Sequence, residues 1–290
     1  MSYIVAVIAP GAMGSAIGRR LRENGAQVRT SLTGRSAAAI ARAQAAGMDD
    51  VEDALIVSSD IILSVVPPAE ALAVARRFAP QLERAGRKPI FVDCNAVNPH
   101  SVAAVGAVIT ATGTPFVDAC IIGPPPQAGV QGPALYMSGP HAQATLALAQ
   151  FGFDVRILQA PIGAASALKM SYAGITKGLT GLAAAMILSA SRAGAGAALL
   201  DELEKSQPML LKRFTKSVPD MYPKAYRWVA EMQEIAQFAG NDSATQAIYN
   251  GLASLFERLA QDYGNDRTEI DAIEAFLGGL NVEGRRNGAS

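Results

Sequence analysis

Through its first half the chain alternates short apolar runs, at 3–9, 27–32, 60–66, 89–94, 116–122, 135–138 and 154–158, with segments of helical periodicity such as 12–24, 36–46, 68–82 and 141–151. The run 3–9 is apolar at every position, and 60–66, 89–94 and 116–122 hold long apolar stretches, which suits parallel strands covered on both faces rather than a sheet with one wet side. Strand–helix–strand repetition of this kind predicts an α/β domain with a doubly wound, Rossmann-type parallel sheet. After Gly163 the strand signals stop. Long helical patterns take over to about residue 277, with breaks expected near Pro208, across 219–223 and at 240–242. The chain therefore divides into an α/β domain at 1–162 and an all-α C-terminal domain at 163–290, whose last residues, 278–290, are expected to fray.

A chain of 290 residues is long enough for two domains, each with its own core. Half of the residues are hydrophobic and 17% are charged, the balance of a globular protein with closely packed helices. Twenty-five basic residues offset 25 acidic ones, so no net field draws in nucleic acid or an anionic membrane surface. Two cysteines, Cys94 and Cys120, are too few for a disulfide framework and point to a cytoplasmic setting with both as apolar fillers. The first eighteen residues are uncharged but lack a basic leader region, and the apolar stretch 179–188, bounded by Lys177 and Arg192, is too short to span a bilayer. That stretch reads as a buried core helix.

The first strand runs into Ala9-Pro10-Gly11-Ala12-Met13-Gly14, and a helix follows with Gly18 one turn on. Strand, glycine turn and helix in this order let backbone approach a pyrophosphate at the positive end of a helix, the arrangement of a dinucleotide site. Ala9 stands where the usual fingerprint has its first glycine. Pro10, Gly11, Ala12, Met13 and Gly14 are the expected cofactor contacts. An NAD site usually places a carboxylate about 20 residues further on, yet none occurs between Glu23 and Asp49. The second strand leads instead into Thr33-Gly34-Arg35-Ser36, whose guanidinium and hydroxyls suit a 2′-phosphate. NADP is thus the expected cofactor, with NAD possible. The competing reading has Arg35 as a solvated charge and Ser36 as a helix cap.

At the junction, Gly163-Ala164-Ala165-Ser166-Ala167-Leu168-Lys169 opens a long helix on which Tyr172, Ala173 and Thr176 share a face with Lys169. A lysine desolvated there would have a lowered pKa useful for proton transfer, while taken alone it would read as a snorkelling surface lysine. Trp228, Glu231, Met232 and Ile235 share another face, either a lid over a ligand or core packing with one satisfied carboxylate. His100 and His141 fit no metal spacing, and no metal is expected.

Taken together, Val7–Gly14 (V-I-A-P-G-A-M-G), S-V-V-P-P at 64–68, D-C-N-A at 93–96, D-A-C-I-I-G at 118–123 and G-A-A-S-A-L-K at 163–169 resemble the β-hydroxyacid dehydrogenase superfamily, which includes 3-hydroxyisobutyrate and 6-phosphogluconate dehydrogenases and, more distantly, imine reductases. S-Q-P at 206–208 and Y-R-W-V-A-E-M-Q-E-I at 226–235 resemble the helical C-terminal domain of phosphogluconate dehydrogenase-like proteins. The resemblance implies hydride transfer between NADP(H) and a small hydroxyacid or related alcohol or carbonyl compound. Lys169 would be the acid/base and Asn95 would orient the substrate. Val66 and Pro67 would cover the nicotinamide, and Asn95, also a cofactor contact, Ala96, Gly123 and Pro124 would hold the substrate; Tyr172 and Thr176, on the face of Lys169, and Trp228 and Glu231, on the lid reading, are the other substrate-site candidates. It also implies a homodimer or higher oligomer through the C-terminal helices. Relatives acting on simple hydroxyacids usually carry Ser-Thr where this chain has Asn95-Ala96, and Gly-Gly at Gly123-Pro124, which points to a larger or less polar substrate. The alternatives are an imine reductase-like enzyme and a non-catalytic redox sensor.

Overall fold

The structure is a computed structural model, described for residues 3–127, 129–130 and 132–283. It divides into two compact units, Met1–Met170 and Ser171–Ser290. In the first, β1 (Ile4–Ile8), α1 (Ala12–Glu23), β2 (Gln27–Thr30), α2 (Ala37–Ala45), β3 (Asp49–Asp50), α3 (Asp53–Ile56) and β4 (Ile61–Ser64) form one half of a sheet. A 3₁₀ turn, Pro68–Glu70, precedes α4 (Ala71–Arg84), and β5 (Ile90–Asp93), α5 (Pro99–Thr110), β6 (Phe116–Ile122), β7 (Ala134–Ser138) and β8 (Asp154–Ile157) complete it. The strand order is β3-β2-β1-β4-β5-β6-β7-β8, so the chain reverses direction of winding between β1 and β4. In doubly wound sheets that switch point is where the crevice for a ligand opens, beyond the carboxyl ends of the strands.

The alternation of side chains explains why the central strands are apolar at most positions, on both faces. Val5, Val7, Ile61, Leu63, Val92 and Val117 enter a core on one side of the sheet with Ile17, Leu21 and Leu148. Ala6, Ile8, Ile62, Phe91 and Phe116 enter the other with Val74, Phe78, Val102 and Ile109. Both faces are dry, as period-2 alternation requires for a sheet sandwiched between helices.

The sheet departs from the all-parallel expectation at one place. β7 runs antiparallel to β6, with Asp118 opposite Ser138 and Ile122 opposite Ala134. Among the described residues no helix lies between those two strands, and a parallel return needs a crossover. The segment expected as an α-helix at 141–151 is a 3₁₀ helix, Ala142–Phe151, closed by Gly152 at φ 78°.

Helix α6 (Ala164–Arg192) continues from the first unit into the second, where α7 (Gly196–Ser206), α8 (Pro208–Met221), α9 (Ala225–Phe238), α10 (Ser243–Gly264) and α11 (Thr268–Glu283) follow. The stretch read as a short core helix is part of this 29-residue α6, which by length and composition alone is apolar enough to cross a membrane. Its own outer face also carries exposed Ile175, Leu182 and Met186. Pro208 opens α8, as expected. The break expected across 219–223 is present: Pro219 sits in the last turn of α8, which ends at Met221, and a 3₁₀ turn, Tyr222–Lys224, separates it from α9. The tail expected to fray from 278 is helical to Glu283, and residues 284–290 lie outside the described ones.

Candidate functional site at the carboxyl edge of the sheet

The glycine turn follows from a close approach of backbone to backbone. A Cβ on Gly14 would lie 2.1 Å from the Ala9 carbonyl oxygen, so only glycine fits where α1 leaves the strand. Ser15 N–H is the first amide to find a helical acceptor, Gly11 O at 2.9 Å. The amides of Ala12, Met13 and Gly14 therefore point out of the helix start without intrahelical partners, at the positive end of its dipole. Pro10 is buried, and its carbonyl accepts a 2.9 Å hydrogen bond from Arg42 Nε on α2. Sequence reasoning missed this brace, because nothing local to Arg42 shows that α2 packs beside the first turn.

The loop after β2 is held from behind by two carboxylates. Asp50 accepts from Leu32 N at 2.9 Å, and Asp53 binds Ser31 Oγ at 3.1 Å and the Arg77 guanidinium at 2.6 and 2.8 Å. Both acids are thus engaged below the loop and leave its outer side to Thr33, Arg35 and Ser36. Arg35 Nε is shielded from solvent and has no hydrogen-bond partner. A guanidinium N–H in that state is suited to an added anion. Ser36 caps α2, its hydroxyl accepting from Ala39 N at 3.3 Å, so the helix-cap reading holds for that residue.

Across the middle of the sheet the register aligns Ile8 with Ser64, Ser64 with Asp93, Asp93 with Asp118 and Asp118 with Ser138. Four polar residues thus form one row near the carboxyl edge, and all are at most 1% exposed. Asp93 Oδ1 accepts from Asn95 N at 2.9 Å, while its Oδ2 is buried without a partner. Burial, reinforced by the neighbouring Asp118 carboxylate and opposed by the Asn95 amide, raises the Asp93 carboxyl to about 7. Asn95 itself is 2% exposed. Its Oδ1 accepts from Val66 N at 2.6 Å and its Nδ2 donates to Ser64 Oγ at 3.1 Å. The amide expected to orient a substrate thus spends one lone pair and one N–H within the protein. It fixes the loop after β4, where Val66 is buried and Pro67 exposed, against the end of β5 beside the half-buried Ala96.

Asp118, fully buried, anchors the start of α6. Its Oδ2 accepts from Gly163 N at 2.8 Å, Ala165 N at 3.1 Å, Ser166 N at 3.2 Å and Ser138 Oγ at 2.9 Å, and its Oδ1 from Ser166 Oγ at 2.7 Å. A carboxylate on free helix amides is favoured by both hydrogen bonding and the helix dipole. This fixes the first turns of α6 and so places Lys169, whose Nζ donates to Ile121 O at 2.7 Å near the end of β6. Burial lowers the Lys169 pKa from 10.5, and the adjacent Cys120 acts in the opposite direction. Burial pushes the Cys120 thiol to about 12 and that of Cys94 well above 9, so neither supplies a thiolate nucleophile at neutral pH. Beyond Ile122, Gly123 has φ 132° and a Cβ there would meet Pro133 at 3.0 Å, which explains the glycine before exposed Pro124.

The first unit thus gathers the turn residues Pro10–Gly14, the loop with Arg35, Val66 and Pro67, Ala96, Gly123 and Lys169 at the carboxyl ends of β1, β2, β4, β5 and β6. Four expected substrate residues belong to the second unit. Tyr172 is half exposed, and Thr176 back-bonds to Tyr172 O at 2.8 Å. Trp228 and Glu231, both partly exposed, make their contacts within the second unit. Trp228 meets Phe256 edge-on at 5.2 Å with Lys177 Nζ 5.0 Å above its ring, and Glu231 is ion-paired with Lys177.

Residues 4–151 match the family model described as the NAD binding domain of 6-phosphogluconate dehydrogenase, and residues 190–259 match a domain of unknown function, DUF1932. A conserved protein of unknown function, reported as structurally similar to 3-hydroxyacid dehydrogenases, is 27% identical; the match covers 90% of this chain and 99% of that one, with a TM-score of 0.72. The 3-hydroxyisobutyrate dehydrogenase of Mycobacterium tuberculosis, solved with L-serine, is 18% identical over 91% of this chain and 95% of its own, with a TM-score of 0.72. An imine reductase from Myxococcus stipitatus, solved with NADP+, is 16% identical over 90% and 94%, with a TM-score of 0.56. These last two likenesses are of fold, which does not carry function by itself. The first family match spans just over half of the residues, and the chain belongs to the family built on the NAD binding domain of 6-phosphogluconate dehydrogenase.

Proposed function

We propose that this protein is an NADP(H)-dependent oxidoreductase acting on a small hydroxyacid or a related alcohol or carbonyl compound, with Lys169 as general acid/base. The observation that carries the reading is Lys169 itself: a partly desolvated amine, hydrogen-bonded to Ile121 O at the carboxyl end of β6, on the sheet edge that bears the glycine turn. The free amides of Ala12, Met13 and Gly14 would hold the pyrophosphate, and Arg35, with its unpartnered Nε, would hold a 2′-phosphate. When bound, the dinucleotide supplies the hydride acceptor or donor. Lys169 takes the hydroxyl proton during oxidation and returns it during reduction. Asn95 acts as a positioning residue through Val66 and Ser64. Ala96, Gly123 and Pro124 would border the substrate. Retention of the lysine favours alcohol over imine chemistry.

On this reading 1–162 is the nucleotide domain and 163–290 serves substrate binding and self-association in a cytoplasmic enzyme. Ile175, Leu182 and Met186, 63%, 51% and 58% exposed on one face of α6, support a homo-oligomer, which sedimentation equilibrium returning a monomer would refute. The cofactor assignment is tested on Arg35→Ala. We expect a wild-type preference for NADPH over NADH that falls by about 10- to 100-fold in the variant, the loss of one charge-assisted contact of about 1.5–3 kcal/mol. An unchanged preference would remove Arg35 from the site.

A further inference from the structure

The second unit carries a groove that the reading above leaves unused. It is lined by Tyr172 and Thr176 of α6 and by Met209, Lys212, Arg213, Lys216, Ser217 and Asp220 of α8, and encloses about 610 Å³. The α8 residues fall at spacings of three and four, one continuous helical face. This is not the packing face of α8, which buries Leu211, Phe214, Val218 and Met221. Three cations and one carboxylate therefore line a concave surface, and among the described residues none of the four takes part in an ion pair. Lys212 and Lys216 stand at i and i+4, where like charges repel, and the groove's single acid, Asp220, follows Lys216 at the same spacing, leaving an excess of two positive charges. The Arg213 guanidinium reaches across to Thr176 O at 3.5 Å. Ser217 Oγ is shielded from solvent and has no hydrogen-bond partner. A serine on a helix ordinarily bonds back to the preceding turn, as Thr176 and Thr180 do on α6.

We infer that this groove binds the oxyanion group, phosphate or carboxylate, of a small-molecule ligand, through Lys212, Arg213, Lys216 and the Ser217 hydroxyl. Two ammonium groups, a guanidinium and a hydroxyl donor supply the charge and the donors that such a group needs, and Tyr172 gives the groove an aromatic wall. Tyr172 and Thr176 follow Lys169 by one and two turns of the same helix. That the ligand is the substrate rests on the oxidoreductase reading; that the groove binds an oxyanion does not.

The test titrates inorganic phosphate and, separately, malonate by calorimetry into the full chain, as wild type, as Arg35→Ala and as Lys212→Gln/Lys216→Gln. We expect saturable binding of one of the two anions to wild type, retained in Arg35→Ala and weakened at least tenfold in the double variant. Phosphate as the preferred probe identifies a phosphate monoester, malonate a carboxylate. Lysines this exposed are removed without risk to folding, and the double variant should melt no lower than wild type. Binding unchanged in the double variant, abolished by Arg35→Ala, or absent for both anions overturns the inference. NADPH affinity measured on the same samples separates the two claims, since its absence from wild type defeats the oxidoreductase reading and leaves the groove result standing.

Discussion

Replacing Lys169 with methionine is expected to lower kcat by 10²- to 10⁴-fold, the usual contribution of a positioned proton carrier, while NADPH binds as tightly as before. Methionine keeps the aliphatic bulk of the stem, so packing survives and only the amine is lost. The pH profile gives an independent readout. Burial places the Lys169 pKa below 10.5, so its neutral, basic form appears at lower pH than in free lysine. Oxidation by wild type should therefore rise with pH through a midpoint below 10.5, reduction should fall through it, and Lys169→Met should show neither limb. A redox sensor with no chemistry of its own would be indifferent to the change, so unchanged turnover would remove Lys169 from the mechanism.

Replacing Asp118 with alanine is expected to cost about 3–5 kcal/mol of stability, the range for removing one partner of a buried, hydrogen-bonded charge. Alanine leaves the Gly163 and Ser166 amides without acceptors inside the protein, while Ala165 N retains Ser138 Oγ at 3.1 Å. Asp118→Asn should cost much less, about 1–2 kcal/mol, because the amide oxygen can replace Oδ2 and its NH₂ can donate to the Ser166 hydroxyl. Thermal unfolding followed by circular dichroism reads the difference as a fall of roughly 10 °C for alanine. Equal melting temperatures for wild type and alanine would show that the helix start is held by something else. Because α6 carries Lys169, the alanine variant should lose activity below its melting temperature as well.

The sequence made the nucleotide half legible because its signals are local. A continuously apolar strand such as Ile4–Ile8 fits a sheet dry on both faces, and the Ala9–Gly14 turn names its function by spacing. The antiparallel β7 was not legible, since an apolar run has no direction and only the connection decides it. The contacts of Asn95 were not legible either, since its amide joins Val66 and Ser64, 29 and 31 residues earlier. Asp118 was visible only as part of a motif; its partners are the amides of a helix start 45 to 48 residues later. Trp228 and Glu231 show the limit of helical periodicity, which places residues on one face without saying what lies opposite. Here it is Lys177 and Phe256.

The most direct measurement is calorimetric titration of the purified wild-type chain with NADPH and with NADH. We expect one site per chain with NADPH bound the more tightly. Absence of binding by both dinucleotides would mean that the turn at Ala9–Gly14 does not accept a pyrophosphate, and the oxidoreductase reading would fall with it.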